Sequence, residues 1–239
     1  MKRLTVFVLV SIFFVLSSNG FAIELKGKFA LSGIGNLGLP VGDFADEDKG
    51  AAKSGFGFGA NLEYFVSDNF ALGGSFSYPR FGTKTEDFEE AIRYLLYQEY
   101  GEWFNVDADL KQKIVSFGVF GKYLFSPYAQ TRPYLKFGMG FGKYSLSGDI
   151  EVDGANVDVD GSVDSKLYVN LGSGIQHHLS ENAALILEAT YTHVFTDESE
   201  GELELQAGPF EATEDVEMDF NAQYFGIYAG VCFFFGGKK

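Results

Sequence analysis

The chain has 239 residues, among them 30 Gly, 26 Phe, 13 Tyr and one Cys, and its formal net charge is −15. A hydrophobic share of 46% and an aromatic share of 17% exclude a disordered chain, and the length predicts one mid-sized domain. One Cys excludes an internal disulfide framework and a Cys-rich zinc site, and the negative charge argues against nucleic acid, whose binding rests on Lys and Arg.

The first predicted element is a targeting segment. Lys2 and Arg3 precede an almost wholly apolar run from Leu4 to Leu16, followed by Ser17, Ser18, Asn19 and the small-x-small ending Gly20-Phe21-Ala22. That layout predicts a cleaved signal peptide over 1–22 and a mature domain over 23–239. The apolar run is short for a membrane anchor, and no later stretch reaches the ~20 apolar residues of a transmembrane helix. Cleavage removes two basic residues and no acidic one, so the formal charge falls to −17.

From residue 26 onward the pattern has period two, the signature of strands with two unlike faces. The strand over 27–39 shows Phe29, Leu31, Leu37 and Leu39 on one face; the strand over 55–66 sets Phe56, Phe58, Leu62 and Tyr64 against Gly55, Gly57, Gly59, Asn61, Glu63 and Phe65. After the short turn Ser67-Asp68-Asn69, a strand over 70–78 sets Phe70, Leu72 and Phe76 against Ala71, Gly73, Ser75 and Ser77. The join over 79–112 carries a predicted helix. Thr85 is its N-cap, Glu86 and Asp87 favour the dipole in the first turn, Phe88, Ile92, Leu95 and Leu96 form one apolar stripe, and Gly101 stops it. It reads as a helix packed on the barrel rim, or else as a lid or a helix that docks a partner.

Strands over 113–125 and 132–144 repeat the alternation around the turn Ser126 to Thr131, with Phe117, Val119, Leu135 and Phe137 opposite Gly118, Phe120, Lys122, Tyr134 and Lys136. The join 146–165 contains Asn156-Val157-Asp158-Val159-Asp160-Gly161, a faint likeness to a calcium loop whose closing Glu position holds Leu167. An acidic hairpin extending the barrel above the membrane fits better. Strands over 166–178 and 183–195 flank the turn Ser180-Glu181-Asn182, and after a join over 196–219 the last strand, 220–235, sets Phe225, Ile227, Ala229, Val231, Phe233 and Phe235 against Tyr224, Gly226, Tyr228, Gly230 and Cys232.

A soluble barrel would hide the bulky apolar face and show a charged one. Here the opposite face is mostly Gly, Ser and Asn. Lipid outside and a small, partly polar lumen inside fit better, because only helices and closed barrels satisfy their backbone in a bilayer. Short and long joins alternate strictly, as periplasmic turns and extracellular loops do. The four long joins hold 28 of the 33 acidic residues, so the charge sits on one rim. The fold class read from this is all-β: an eight-stranded antiparallel transmembrane β-barrel with long extracellular loops. A soluble lipocalin-type barrel is the competing reading.

Asn36-Leu37-Gly38-Leu39-Pro40-Val41-Gly42-Asp43-Phe44, Arg132-Pro133-Tyr134-Leu135 with Gly138-x-Gly140, and Gly172-Ser173-Gly174-Ile175 followed by Leu187-Glu188-Ala189-Thr190-Tyr191 resemble the small outer-membrane β-barrels, the OmpA/OmpX/OmpW-like porin family. The chain departs from that family at Thr190, where Arg is frequent, and at its end, where Gly236-Gly237-Lys238-Lys239 follow Phe235. The resemblance implies residence in the outer membrane, contact with lipid and lipopolysaccharide, assembly by the barrel assembly machinery, and no cofactor.

Glu63, Lys122, Lys136 and Glu188 fall on the lumen parity at similar distances from the short turns. Two acids and two bases in one layer predict an ion-pair plug, or alternatively a gate that selects charged solutes. Catalysis and metal binding find little support. His193 resembles the base of a lipid A-modifying barrel, but the position two residues on, which should hold a Ser nucleophile, is Phe195; His177 and His178 read as strand-end residues. The functional expectation is a structural or surface-interaction role through acidic extracellular loops, with a narrow channel for small or hydrophobic solutes as the alternative.

Overall fold

The computed structural model describes residues 23–196, 199–207 and 210–237. The predicted signal peptide over 1–22 lies outside the described residues. Eight strands close into a ring: β1 (Lys28–Pro40), β2 (Ala52–Phe65), β3 (Phe70–Thr83), β4 (Val106–Leu124), β5 (Thr131–Val152), β7 (Lys166–Ser180), β8 (Ala183–Val194) and β11 (Ala222–Gly236). Every neighbour pair is antiparallel, and β1 closes on β11 over a register running from Lys28↔Gly236 to Pro40↔Tyr224. Among the described residues no helix is long and apolar enough to cross a membrane.

The predicted faces are the observed ones. Phe56, Phe117, Phe141 and Leu171 are exposed, whereas Asn61, Glu63, Phe65, Phe120, Lys122 and Tyr134 are buried inside. Along β4 and the residue that follows it, the outward apolar row runs from Val115 to Phe125, and with strands tilted by about 40° it covers a band about 25 Å tall, the thickness of an outer-membrane hydrocarbon layer. Aromatic residues gather at the periplasmic edge of that band: Phe29 packs on Tyr64 and Phe235 at 4.9 and 5.9 Å, and Tyr123 meets Phe125 at 5.3 Å.

The long joins differ from the expectation of loops. β3, β4 and β5 continue well past the band, and three further strands, β6 (Ala155–Val163), β9 (Ser199–Ala207) and β10 (Phe210–Met218), extend the sheet. β5 pairs with β7 through Gly142 and with β6 from Ser145, so the sheet branches there; β9 then pairs with β6, and β10 with β9. The β5–β6 hairpin turns on Asp153 and Gly154, both with positive φ (47° and 85°), which a two-residue I′ turn requires. The stretch Asn156–Gly161 lies inside β6, an acidic hairpin arm rather than a calcium loop.

Two apolar clusters close the barrel. At the periplasmic end Ile23 and Leu25 tuck under Phe65, Leu124, Tyr134 and Phe234. This plug is held by polar bonds: Arg132 Nη2 donates to the Ile23 carbonyl at 2.7 Å and the Leu25 amide to Asp68 Oδ1 at 2.8 Å. At the extracellular end Phe44, Phe81, Tyr144, Phe220 and Tyr224 form the second cluster.

Candidate functional site

The four predicted lumen charges are brought together as two ion pairs. Lys122 and Lys136 stand directly opposite each other on β4 and β5, and each turns to a different carboxylate. Lys122 Nζ pairs with Glu63, and Lys136 Nζ lies 3.0 Å from Glu188 Oε1; all four side chains are almost fully buried. Glu188 also accepts from Tyr134 Oη at 2.8 Å and from Thr190 Oγ1 at 2.8 Å. Lys122 donates to Gln176 Oε1 at 3.2 Å, and Gln176 Nε2 lies 2.9 Å from His178 Nε2. The ammonium groups sit over aromatic faces, Lys122 5.0 Å from the Tyr134 ring centre and Lys136 4.7 Å from that of Phe120. Pairing and added hydrogen bonds are what make buried charge tolerable in so dry a layer.

Against the Lys136–Glu188 pair lies a small void of about 30 Å³, bounded also by Asn61, Ser116, Tyr168, Asn170 and Tyr228. That is room for about one water molecule. Glycines let the inward rings fill the rest: a Cβ on Gly118 would collide with Tyr168 Oη, and one on Gly174 would lie 2.6 Å from the Tyr134 ring.

An aromatic bulkhead follows. Phe44 enters from a 3-10 turn (Gly42–Phe44) in the first loop and meets Phe81 edge-on at 5.1 Å and Phe220 stacked at 6.1 Å. Tyr144 meets Phe220 edge-on at 5.9 Å, and Phe81 meets Tyr224 at 5.2 Å. The sequence reading assigned no role to Phe44 and Phe220: Phe44 lies in the first long join, and Phe220 stands at the start of the predicted last strand, whose alternating faces begin only at Tyr224.

Beyond the bulkhead opens a cavity of about 1000 Å³. Its walls are the inward residues of the extension, among them Leu110, Leu146, Val159, Leu203, Val216 and Met218. Lys49, Lys53, Lys84, Glu47 and Glu86 also line it, and Lys53–Glu86 and Lys84–Glu47 pair at 3.1 Å each. The predicted helix is α1 (Glu86–Tyr100). Thr85 is its N-cap by position, yet its side chain makes no capping bond; Gly101 ends the helix with φ 74° and donates its N–H to the Tyr97 carbonyl. The predicted stripe is divided. Phe88 and Ile92 line the cavity, Leu96 is half-buried, and Leu95 is 64% exposed. Polar contacts rather than the stripe dock α1 on the free edge of β4: Arg93 Nη2 donates to the Val106 carbonyl at 2.5 Å, and Glu89 Oε1 accepts from the Ala108 N–H at 3.2 Å. Covering an unpaired strand edge in this way satisfies backbone groups that would otherwise invite another strand.

Among the described residues no group of three or more His, Cys, Asp or Glu side chains is placed to hold a metal ion. His193 lies beside Tyr191 Oη at 3.5 Å and against the Phe195 ring at 4.4 Å.

Comparison with known proteins agrees with this architecture. The fold matches a major outer membrane protein from Thermus thermophilus with a TM-score of 0.56 at 12% identity, over 87% of this chain and 99% of that one. Neisserial surface protein A aligns with a TM-score of 0.49 at 14% identity, over 88% and 100% of the two chains. OprG from Pseudomonas aeruginosa aligns at 0.49 and 12%, over 91% and 100%. At such identities the likeness is one of fold. Among curated proteins no sequence matches. Residues 7–233 match the outer membrane protein beta-barrel domain, and with nearly the whole chain covered by that match the protein belongs to this family of outer-membrane barrels.

Proposed function

We propose that the protein works at the cell surface through the extracellular extension of its barrel, and that the barrel itself is a sealed anchor. The filled lumen carries this reading. The Ile23–Leu25 plug, the two ion pairs and the aromatic bulkhead lie in series between the periplasmic mouth and the extracellular cavity. An eight-stranded barrel is only just wide enough for its own side chains. In this reading Glu63, Lys122, Lys136 and Glu188 form a rigid plug rather than a gate. The acidic outer face of the extension, with Asp107, Asp109, Asp149, Glu151, Asp158 and Asp160 exposed, is the surface offered to partners. The chain is non-enzymatic in this reading, since Phe195 stands where the His193 arrangement would need a nucleophile. The apolar band contacts membrane lipid and lipopolysaccharide, and the alternating end of β11 is the segment for the barrel assembly machinery.

Planar-bilayer recording tests the proposal. The refolded mature protein is expected to be silent, and Lys136→Ala to remain without unit currents. Reproducible unit currents from the unsubstituted protein overturn the sealed barrel. They would support the second reading, a narrow channel for small or hydrophobic molecules, which the apolar cavity at the outer mouth favours.

A further inference from the structure

The outward faces of β3, β4 and β5 change character in the same order at the top of the apolar band. On β4 the outward residues run Phe117, Val115, Lys113, Lys111, Asp109; on β5 they run Phe141, Lys143, Ser145, Ser147, Asp149. On β3 Phe76 and Tyr78 are followed by Arg80. Arg80 stands directly opposite Lys113, and Lys143, opposite Val115, lies diagonal to Lys113. Arg80 and Lys143 are exposed and Lys113 is half-buried. Like charges placed opposite one another on a sheet repel. Among the described residues ion pairs take up Lys49, Lys53, Lys84, Arg93 and Lys111, and none takes up Arg80, Lys113 or Lys143. Instead Arg80 Nε and Nη2 donate to Tyr78 Oη at 3.1 and 2.9 Å, which turns the guanidinium down toward the band. The far wall differs: β8 and β11 contain no Lys or Arg.

We propose that Arg80, Lys113 and Lys143 bind the phosphate group of an outer-leaflet lipid, a reading that rests on the lipid contact assigned above to the apolar band. Three neighbouring positive charges without a carboxylate match an anion with more than one negative charge and several acceptor oxygens, and a phosphate monoester is such a group. Ser145, opposite Lys113, adds a hydroxyl beside them. Position selects a lipid over free phosphate. Directly below the bases, the exposed rings of Phe117 and Phe141 offer a face to acyl chains. Directly above them, Asp109, Asp149 and Asp158 stand in one cross-strand row and repel an anion arriving from the medium. A lipid phosphate reaches the bases sideways, within the leaflet, and its charge relieves the repulsion between Arg80 and Lys113.

The full mature protein is refolded into phosphatidylcholine nanodiscs doped with lipid A, or with lipid A stripped of its phosphates. Lipid retained on the protein is followed by native mass spectrometry as the doping level rises. The wild type is expected to retain lipid A and to shed the stripped form. The triple variant Arg80→Gln, Lys113→Gln, Lys143→Gln is expected to hold lipid A roughly a hundredfold more weakly, about fivefold for each base lost, and to treat the stripped form as the wild type does. The control variant Lys49→Gln, Lys53→Gln, Lys84→Gln removes the same charge from lysines already paired with carboxylates, and it is expected to retain lipid A like the wild type. Excess inorganic phosphate is expected not to displace the lipid. Heat-dependent gel mobility identifies the folded variants. Equal retention of the two lipids by the wild type, or retention unmoved by the first triple variant, overturns the phosphate site. Equal losses in both triple variants overturn it too, since net charge alone would then attract the lipid. Displacement by inorganic phosphate overturns the lipid as the source of the anion. A wild type that does not reach its heat-modifiable form in nanodiscs overturns the lipid contact of the band itself, whereas an inserted protein without phosphate preference leaves that contact standing.

Discussion

The lumen within the membrane and the cavity above it are built by the same strands under opposite rules. Along β4 the even-numbered side chains point inward throughout. Below the boundary they are Ser116, Gly118, Phe120 and Lys122, facing Val115, Phe117, Val119 and Tyr123 outside; above it they are Ala108, Leu110, Gln112 and Ile114, with Asp107, Asp109, Lys111 and Lys113 outside. On β5 the outer face changes from Phe141 to Lys143 at the matching level, since Phe117 pairs with Phe141 and Val115 with Lys143. The pleat never breaks. Only the surroundings change, from lipid to water, and the apolar face moves from outside to inside with them. The lower interior is filled by charge pairs and rings, and the upper one is left open between β4, β5, β6, β9 and β10.

The heaviest blow to this contrast is to unpair the lumen. Glu188→Ala leaves Lys136 without its carboxylate and Tyr134 and Thr190 without their acceptor. Removing one partner of a buried pair costs about 3–5 kcal/mol, because the remaining charge stays in the dry layer. Urea unfolding of the barrel in lipid vesicles should show that loss. A change below about 1 kcal/mol, the value of a solvent-exposed pair, would mean that water reaches the pair and that the lumen is not sealed.

What the sequence revealed follows from the same inversion. In the membrane the outward row is apolar and bulky, so the eight strands and the inward set Glu63, Lys122, Lys136 and Glu188 stood out. Above the membrane the outward row is acidic, and the stretch 106–112 looks like a charged loop unless its alternate residues Val106, Ala108 and Leu110 are read as a face. The same holds for Val157 and Val159 against Asp158 and Asp160 on β6. The alternation was present in these segments, with its polarity reversed. Phe44, Phe220, Ile23 and Leu25 were not legible, because they plug the barrel from irregular chain and reach their partners only through tertiary contact.

One substitution made twice on one face of one strand locates the boundary. Val119→Arg places a cation on the lipid face and should destabilise the barrel by about 2–4 kcal/mol if it lies near the middle of the band. Asp109→Arg, further up the same face, meets water. Asp109 stands directly opposite Asp149 and pairs with Lys111 at 2.7 Å, so the change trades one exposed ion pair for another and should move stability by less than about 1 kcal/mol. Urea midpoints of the two variants make the comparison, and equal losses at the two positions would remove the boundary from β4.

The smallest effect sharpens the contrast most, because it holds distance constant. Lys53 and Glu86 lie 3.1 Å apart at the edge of the cavity, and Lys136 and Glu188 lie 3.0 Å apart in the lumen. The first pair is exposed, with side-chain exposures of 46% and 73%, against 7% and 6% for the second. Water and salt screen the exposed pair, so Lys53→Ala should leave the urea midpoint at neutral pH unchanged. The substitution should still be visible in titration. The Glu86 carboxyl is held below the usual carboxylate range, chiefly by its own backbone amide at the start of α1 and next by Lys53. Its stabilising contribution is therefore present above the ordinary carboxylate pKa and is lost as pH falls through the lowered value. In Lys53→Ala the Glu86 titration, followed by carboxyl NMR, should move up toward the ordinary range and stop short of it, because the amide remains. If Lys53→Ala instead destabilised the protein as much as Glu188→Ala, separation alone would set the strength of the two pairs, and exclusion of water from the lumen could no longer account for the difference between the regions.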